Sequence, residues 1–220
     1  MQLNPIQTAA KTKGQLVFAM DQGEQDIPMM AGAGFGEGQD GYCMGLSVRW
    51  ISEMYAGRNL PFSPMTQSYE EVDWLALDLQ GRYAAIPSAM LDSDSNGWKN
   101  SVALCSMTVS PGLHAERYFK GPTGSFICDT ARRAWGCYGI TLSAPAGVGG
   151  NHAIAVRHAR DNTFHLFDPN YGHFAVKWVD RFQAFLDDYF KATGYAKRYT
   201  NIVYITGVRP AIGGAAAGLH

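Results

Sequence analysis

The stretch NHAIAVRHARDNTFHLFDPNYGHF, residues 151–174, decides the fold. His152, Ile154, Val156 and His158 alternate with Ala153, Ala155 and Arg157, which is the period of a β-strand. Asp161-Asn162 are turn formers. Beyond them TFHLFD reads as a second strand, and GHFAVKW, after the DPNYG corner, as a third. A strand, a short turn and an antiparallel return bring His152 and Asp168 to the same end of a sheet. Sixteen residues separate them, which fits out-and-back travel. Asp168 can then accept the second ring N–H of His152 and fix its orientation. Its place before Pro169 also suits it to turn formation, and the two roles are compatible.

Working outward, YGITLSA (138–144) and TNIVYITGVRP (200–210) read as further strands. In WVDRFQAFLDDYFKAT (178–193), Val179, Phe182, Phe185, Leu186 and Tyr189 share a helical face. TGSFICDTARRAWG (123–136) reads as a short helix, LDSDSNGWKNS (91–101) as a surface loop and SVALCSMTV (101–109) as a strand. QSYEEVDWLALDLQ (67–80) reads as a helix after the LPFSPMT loop (60–66). Residues 1–38 read as a weakly structured arm, 39–210 as one catalytic domain and 211–220 as a loose tail. Helices first and a mainly antiparallel sheet after them make an α+β layout.

CMGLSVRWISEMYAG (43–57) has a broad apolar helical face, and Gly57 is a plausible stop. The Gly-rich run AGAGFGEGQDG (31–41) leads into it. A thiol at a helix start sits near unpaired backbone N–H groups, which favour the thiolate over the thiol. Cys43 is therefore the candidate nucleophile, His152 the base and acid, and Asp168 the orienting carboxylate. The candidate oxyanion donors are the backbone N–H of Cys43 and the side chain of Gln39. Among the other histidines, His158 reads as a solvated strand end beside Arg157 and Arg160. His165 reads as structural, and His114 and His173 lack a rigid frame. Trp50 and Trp178 read as core or cleft-wall residues.

The chain has 220 residues, 46% of them apolar, with a formal net charge of -1. That balance argues against broad binding to nucleic acid. No apolar run approaches the roughly 20 residues needed to cross a bilayer, and no convincing secretory signal opens the chain. The expectation is a protein made in the cytosol without an integral membrane segment. The four cysteines, Cys43, Cys105, Cys128 and Cys137, have neither C-x-x-C spacing nor a clear metal signature. Apart from Cys43 they read as free, mostly buried thiols. GAGFGEG lacks the Lys-Ser/Thr of a phosphate loop, so no nucleotide site is expected.

GYCMGLSVRW, NHAIAV and HLFDPNYGHF together resemble the Cys, His and Asp blocks of the YopT-type cysteine proteases. The Asp-Pro-Asn-Tyr-Gly turn is the most specific part, and the likeness spans roughly residues 39 to 178. The resemblance implies a papain-like fold and a Cys43–His152–Asp168 triad that needs no cofactor or metal. It implies a protein substrate, which in members of the family is a particular host protein, and a bacterial effector that is delivered into the host cell by a specialised route. Some members remove their own N-terminal segment. The same triad could serve an amidase, a deamidase or an acyltransferase, and a non-catalytic binding module on this fold is the alternative outside enzymes.

Overall fold

The computed structural model describes residues 6, 14–20, 43–58, 76, 78, 79, 94–148 and 150–211. In chain order the elements are β1 (Gln15–Ala19), α1 (Cys43–Tyr55), α2 (Asp94–Ala103), β2 (Met107–Tyr118), α3 (Gly124–Ala131) and β3 (Gly136–Ser143). Then come β4 (His152–His158), β5 (Thr163–Asp168), β6 (Gly172–Lys177), α4 (Val179–Ala192), α5 (Tyr195–Arg198) and β7 (Ile202–Pro210). Among the described residues, seven strands form one sheet in the order β1-β6-β5-β4-β3-β7-β2. Every neighbouring pair is antiparallel.

Period-two alternation gives the sheet two apolar faces. Ile140, Leu142, Ile154, Val156, Phe164, Leu166 and Ile205 point to one, under α3, α4 and α5. Cys137, Ala153, Ala155, Phe167, Tyr204 and Val208 point to the other, under α1 and α2. A central sheet covered on both sides explains why β3 and β4 are buried almost throughout. Helix α4 buries Phe182, Phe185, Leu186, Tyr189 and Phe190 on a single stripe. Asp180 in its first turn and Lys191 in its last complement the helix dipole. It stops where Gly194 takes φ 76°, a conformation that favours glycine.

Two corners aim the site. Between β4 and β5, Asn162 takes φ 60° and Asp161 accepts from the Thr163 backbone N–H and hydroxyl. The turn expected at Asp161-Asn162 is therefore there. Between β5 and β6, the Tyr171 N–H donates to the Asp168 carbonyl at 3.0 Å, and the Asn170 N–H donates to Asp168 Oδ1 at 2.9 Å. Pro169 presets the backbone for such a turn. Gly172 has φ 119°, and a Cβ there would lie 2.2 Å from the Phe18 carbonyl oxygen. Conformation and space both demand glycine at that position.

Four expectations need correction. Residues 94–103, read as a surface loop running into a strand, form α2, and the strand starts only at Met107. The turn-forming composition was outweighed by packing, because Trp98, Ser101 and Val102 recur at helical spacing and are buried. Gln15–Ala19, read as part of a weakly structured arm, pairs with β6 as an edge strand. His158 is not a solvated end: it is buried, stacks on Phe164 at 4.2 Å and has Nδ1 3.2 Å from the Ala131 carbonyl. Of the two readings given for Trp178, core or cleft wall, its 52% exposure rules out the core, whereas Trp50 is buried and stacked on Phe167. The predicted helix over 67–80 falls mostly outside the described residues, of which Ala76, Asp78 and Leu79 are helical.

The contact of α2 with the sheet yields a stability prediction. Trp98 is fully buried, and its indole N–H donates to Thr141 Oγ1 at 3.0 Å. A Cβ at Gly139 would lie 2.5 Å from that indole. Gly139→Ala should therefore destabilise the protein by about 1–3 kcal/mol, the usual cost of overpacking. A urea denaturation midpoint unchanged from that of the parent would contradict this packing.

Candidate active site

Cys43 is the first residue of α1, and its side chain is 7% exposed. One helical turn on, Ser47 points the same way. Both hold the start of β4: the Ala153 N–H donates to Cys43 Sγ at 3.3 Å, and the Ser47 hydroxyl donates to the Ala153 carbonyl at 3.2 Å. The thiol is thereby seated against the residue that follows His152.

His152 is 3% exposed and Asp168 is fully buried. His152 Nε2 lies 2.9 Å from Asp168 Oδ1. A carboxylate only accepts, so Nε2 carries the proton and Nδ1 is the nitrogen left for the Cys43 side chain, with which the imidazole also hydrogen-bonds. Burial alone would lower the His152 pKa. The negative charge of Asp168 and the hydrogen bonds to Asp168 and Cys43 outweigh it and raise the pKa to about 10. The ring is thus held as an imidazolium at neutral pH.

Asp168 is well provided with donors. Besides His152, the Asn170 N–H reaches Oδ1 and the Tyr189 hydroxyl donates to Oδ2 at 2.7 Å. The Asn170 side-chain amide in turn donates to the Tyr195 hydroxyl at 2.8 Å. A buried carboxylate needs such partners to stay ionised. Tyr195 meets the His152 ring edge-on at 5.3 Å between centroids, and Tyr199 stacks on it at 6.2 Å. These rings fix the imidazole from the α5 side. Burial, first of all, pushes the Tyr199 hydroxyl up to about 12. Tyr189, Tyr195, Tyr199 and Asn170 did not stand out in the sequence. Only Asn170 carried a signal, as the third residue of the Asp-Pro-Asn-Tyr-Gly turn.

The three residues expected to act together, Cys43, His152 and Asp168, therefore lie together, brought in by α1, β4 and the end of β5. Gln39 lies outside the described residues. His165 and His173 sit elsewhere, on β5 and β6, with His165 Nδ1 2.9 Å from His173 Nε2. His165 suits the structural role expected of it. His173, expected to lack a frame, is buried against Trp50 and Phe18. Burial holds both neutral, with pKa values lowered to about 4 for His165 and about 3 for His173. Among the described residues no cluster of His, Cys, Asp and Glu could hold a metal. No helix among them is long and apolar enough to cross a membrane.

Residues 128–203 match the Peptidase_C58 family model, described as Yersinia/Haemophilus virulence surface antigen. This YopT-type match takes in the His152 and Asp168 blocks and bears out the resemblance seen in the sequence. Cys43 lies upstream of it. Among solved structures, the chain is similar to the Pseudomonas avirulence protein AvrPphB, with a TM-score of 0.55 and 16% identity over 78% of this chain and 93% of that one. It is also similar to PatoxP, a cysteine protease-like domain of the Photorhabdus asymbiotica toxin PaTox. There the TM-score is 0.52 and the identity 10%, over 91% of this chain and 56% of that one. No curated protein matches the sequence. At such identities the likeness establishes the fold, which is the papain-like α+β fold of the cysteine proteases.

Proposed function

We propose that the chain is a cysteine endopeptidase that cleaves a specific protein substrate through Cys43, His152 and Asp168. The observation that carries this reading is the position of His152, with Nε2 on the buried carboxylate of Asp168 and a further hydrogen bond to the Cys43 side chain. In the proposed reaction the Cys43 thiolate attacks the scissile carbonyl carbon, and the carbonyl oxygen becomes an oxyanion. The backbone N–H of Cys43 and the side chain of Gln39 are the proposed donors to it. His152 then gives its Nδ1 proton to the departing amine as the C–N bond breaks. Now neutral, Nδ1 takes a proton from water, the hydroxide attacks the thioester, and the acid product leaves as the ion pair re-forms. Asp168 keeps the ring oriented throughout, and Tyr189 keeps Asp168 in place.

The family resemblance extends the proposal. The enzyme is made in the bacterial cytoplasm and delivered into a host cell, its substrate is a host protein, and residues 39–210 carry the activity.

Thiol labelling tests the core of this reading. With substoichiometric iodoacetamide near neutral pH, Cys43 should be modified first, as read by intact and peptide mass. Burial pushes the Cys128 and Cys137 thiols up to about 12, so neither offers appreciable thiolate there. Labelling of Cys43 no faster than that of the half-buried Cys105 would refute an activated nucleophile.

A further inference from the structure

The sheet end that carries His152 extends sideways to an exposed aromatic corner. Leu142 pairs with His152, and the next residue, Ser143, pairs with Ile202. Ile202 pairs in turn with Tyr118, the last residue of β2. The Phe119 N–H donates to the Asn201 carbonyl at 2.7 Å, and the Asn201 N–H donates to the Ser143 carbonyl at 3.1 Å. Phe119 is 81% exposed and Tyr118 51%. Phe119 also takes φ 54°, a left-handed conformation that a bulky side chain adopts only under strain. A strained backbone that holds a large apolar ring in water works against both stability and solubility, and such strain collects at binding sites.

The same corner is basic. A Cβ at Gly121 would lie 2.1 Å from the Ala196 carbonyl oxygen, so the loop after Phe119 abuts α5. Lys120 on that loop and Lys197 and Arg198 on α5 are exposed. The Arg198 guanidinium lies over the Tyr199 ring, 5.4 Å from its centroid, and Tyr199 stacks on His152. Glu116, two residues before Tyr118, accepts a hydrogen bond from the Tyr118 hydroxyl. Tyr199 and Arg198 thus link the imidazole to the basic end of α5, and the loop after Phe119 abuts that helix.

We infer that Phe119, Tyr118, Lys120, Lys197 and Arg198 form a docking surface beside the His152 end of the sheet for an extended segment of the protein substrate in which acidic and apolar residues alternate. The inference rests on the protease reading, since it assigns a surface next to the proposed catalytic residues to the same substrate. Charge complementarity fixes the sign of the partner, and the two exposed rings supply the apolar contact.

The test uses the full chain carrying Cys43→Ala and two fluorescein-labelled hexapeptides, Glu-Leu-Glu-Phe-Glu-Leu and its counterpart with every Glu replaced by Lys. Fluorescence anisotropy should show the acidic peptide bound about tenfold more tightly or better, with affinity falling as salt rises. Phe119→Gly should weaken the acidic peptide by about fivefold. Thermal stability should be kept or raised, because glycine accepts the left-handed backbone without strain. Lys120→Glu with Arg198→Glu should reverse the preference. Equal binding of the two peptides, or binding that neither variant changes in a chain that melts like the parent, overturns the docking surface. Iodoacetamide labelling of Cys43 in the native chain is scored separately. Its failure sinks the protease reading, while the peptide series still reports on the surface itself.

Discussion

His152→Ala will lower substrate turnover by about 10⁴-fold or more, the scale on which catalytic groups that act as a unit fail when one is removed. Two losses combine. Without the imidazolium the Cys43 thiolate loses its counter-ion, and without Nδ1 the departing amine has no proton donor. The first loss can be read without any substrate, since iodoacetamide labelling of Cys43 should slow by about one to two orders of magnitude. The second needs proteolysis: new N-termini that the native chain generates in a host-cell extract, identified by mass spectrometry, should vanish in His152→Ala and in Cys43→Ala alike. Slowed labelling with undiminished cleavage would mean that another group protonates the leaving amine, and the assignment of His152 would fall. Undiminished labelling would break the ion pair itself.

How much of this was legible before the structure depends on where each signal lives. The β4–turn–β5–turn–β6 run was readable because every constraint on it is local. Asp161 and Asn162 bond their own turn, Pro169 presets φ, and Gly172 occupies a φ of 119°. The His152–Asp168 contact follows from that geometry with little help from elsewhere. Helix α4 was readable for the same reason, since its buried stripe repeats at one period. Helix α2 was not, because Asp94, Ser95, Asn96 and Gly97 are turn formers by local preference. The burial of Trp98 against β3 overrides them, and that is a contact 43 residues away in sequence. Strand β1 was missed because a five-residue edge strand gives almost no periodic signal, and its pairing partner lies more than 150 residues downstream. The tyrosines around His152 were invisible for a related reason. Tyr189 sits on the apolar stripe of α4 and reads as core, yet its hydroxyl completes the shell of Asp168. A tyrosine whose ring is structural and whose oxygen serves the site carries no mark of the second role in sequence.

Asp168→Asn will cost about 10²–10⁴-fold in turnover and, more tellingly, will move the titration of His152. In the parent, burial lowers the imidazole pKa while the Asp168 charge and the two hydrogen bonds raise it, leaving it at about 10 against an ordinary 6.5. The sign follows directly. A raised pKa means that the protonated ring persists as pH climbs, and the stability it contributes is complete below pH 6.5 and is lost on passing through about 10. Asparagine keeps the size of Asp168 but not its charge, and burial then goes largely unopposed, so the pKa must fall. The anionic reagent iodoacetate makes this visible. It is drawn to a thiolate that has an imidazolium beside it, whereas neutral iodoacetamide is indifferent to that charge. The ratio of the two Cys43 labelling rates should stay high across the neutral range in the parent and drop only as His152 loses its proton near pH 10. In Asp168→Asn the drop should come several units lower, in or below the ordinary histidine range. A ratio that falls at the same pH in both proteins would show that the carboxylate does not set the charge of the imidazole. The hydrogen bond at 2.9 Å would then be a matter of packing alone.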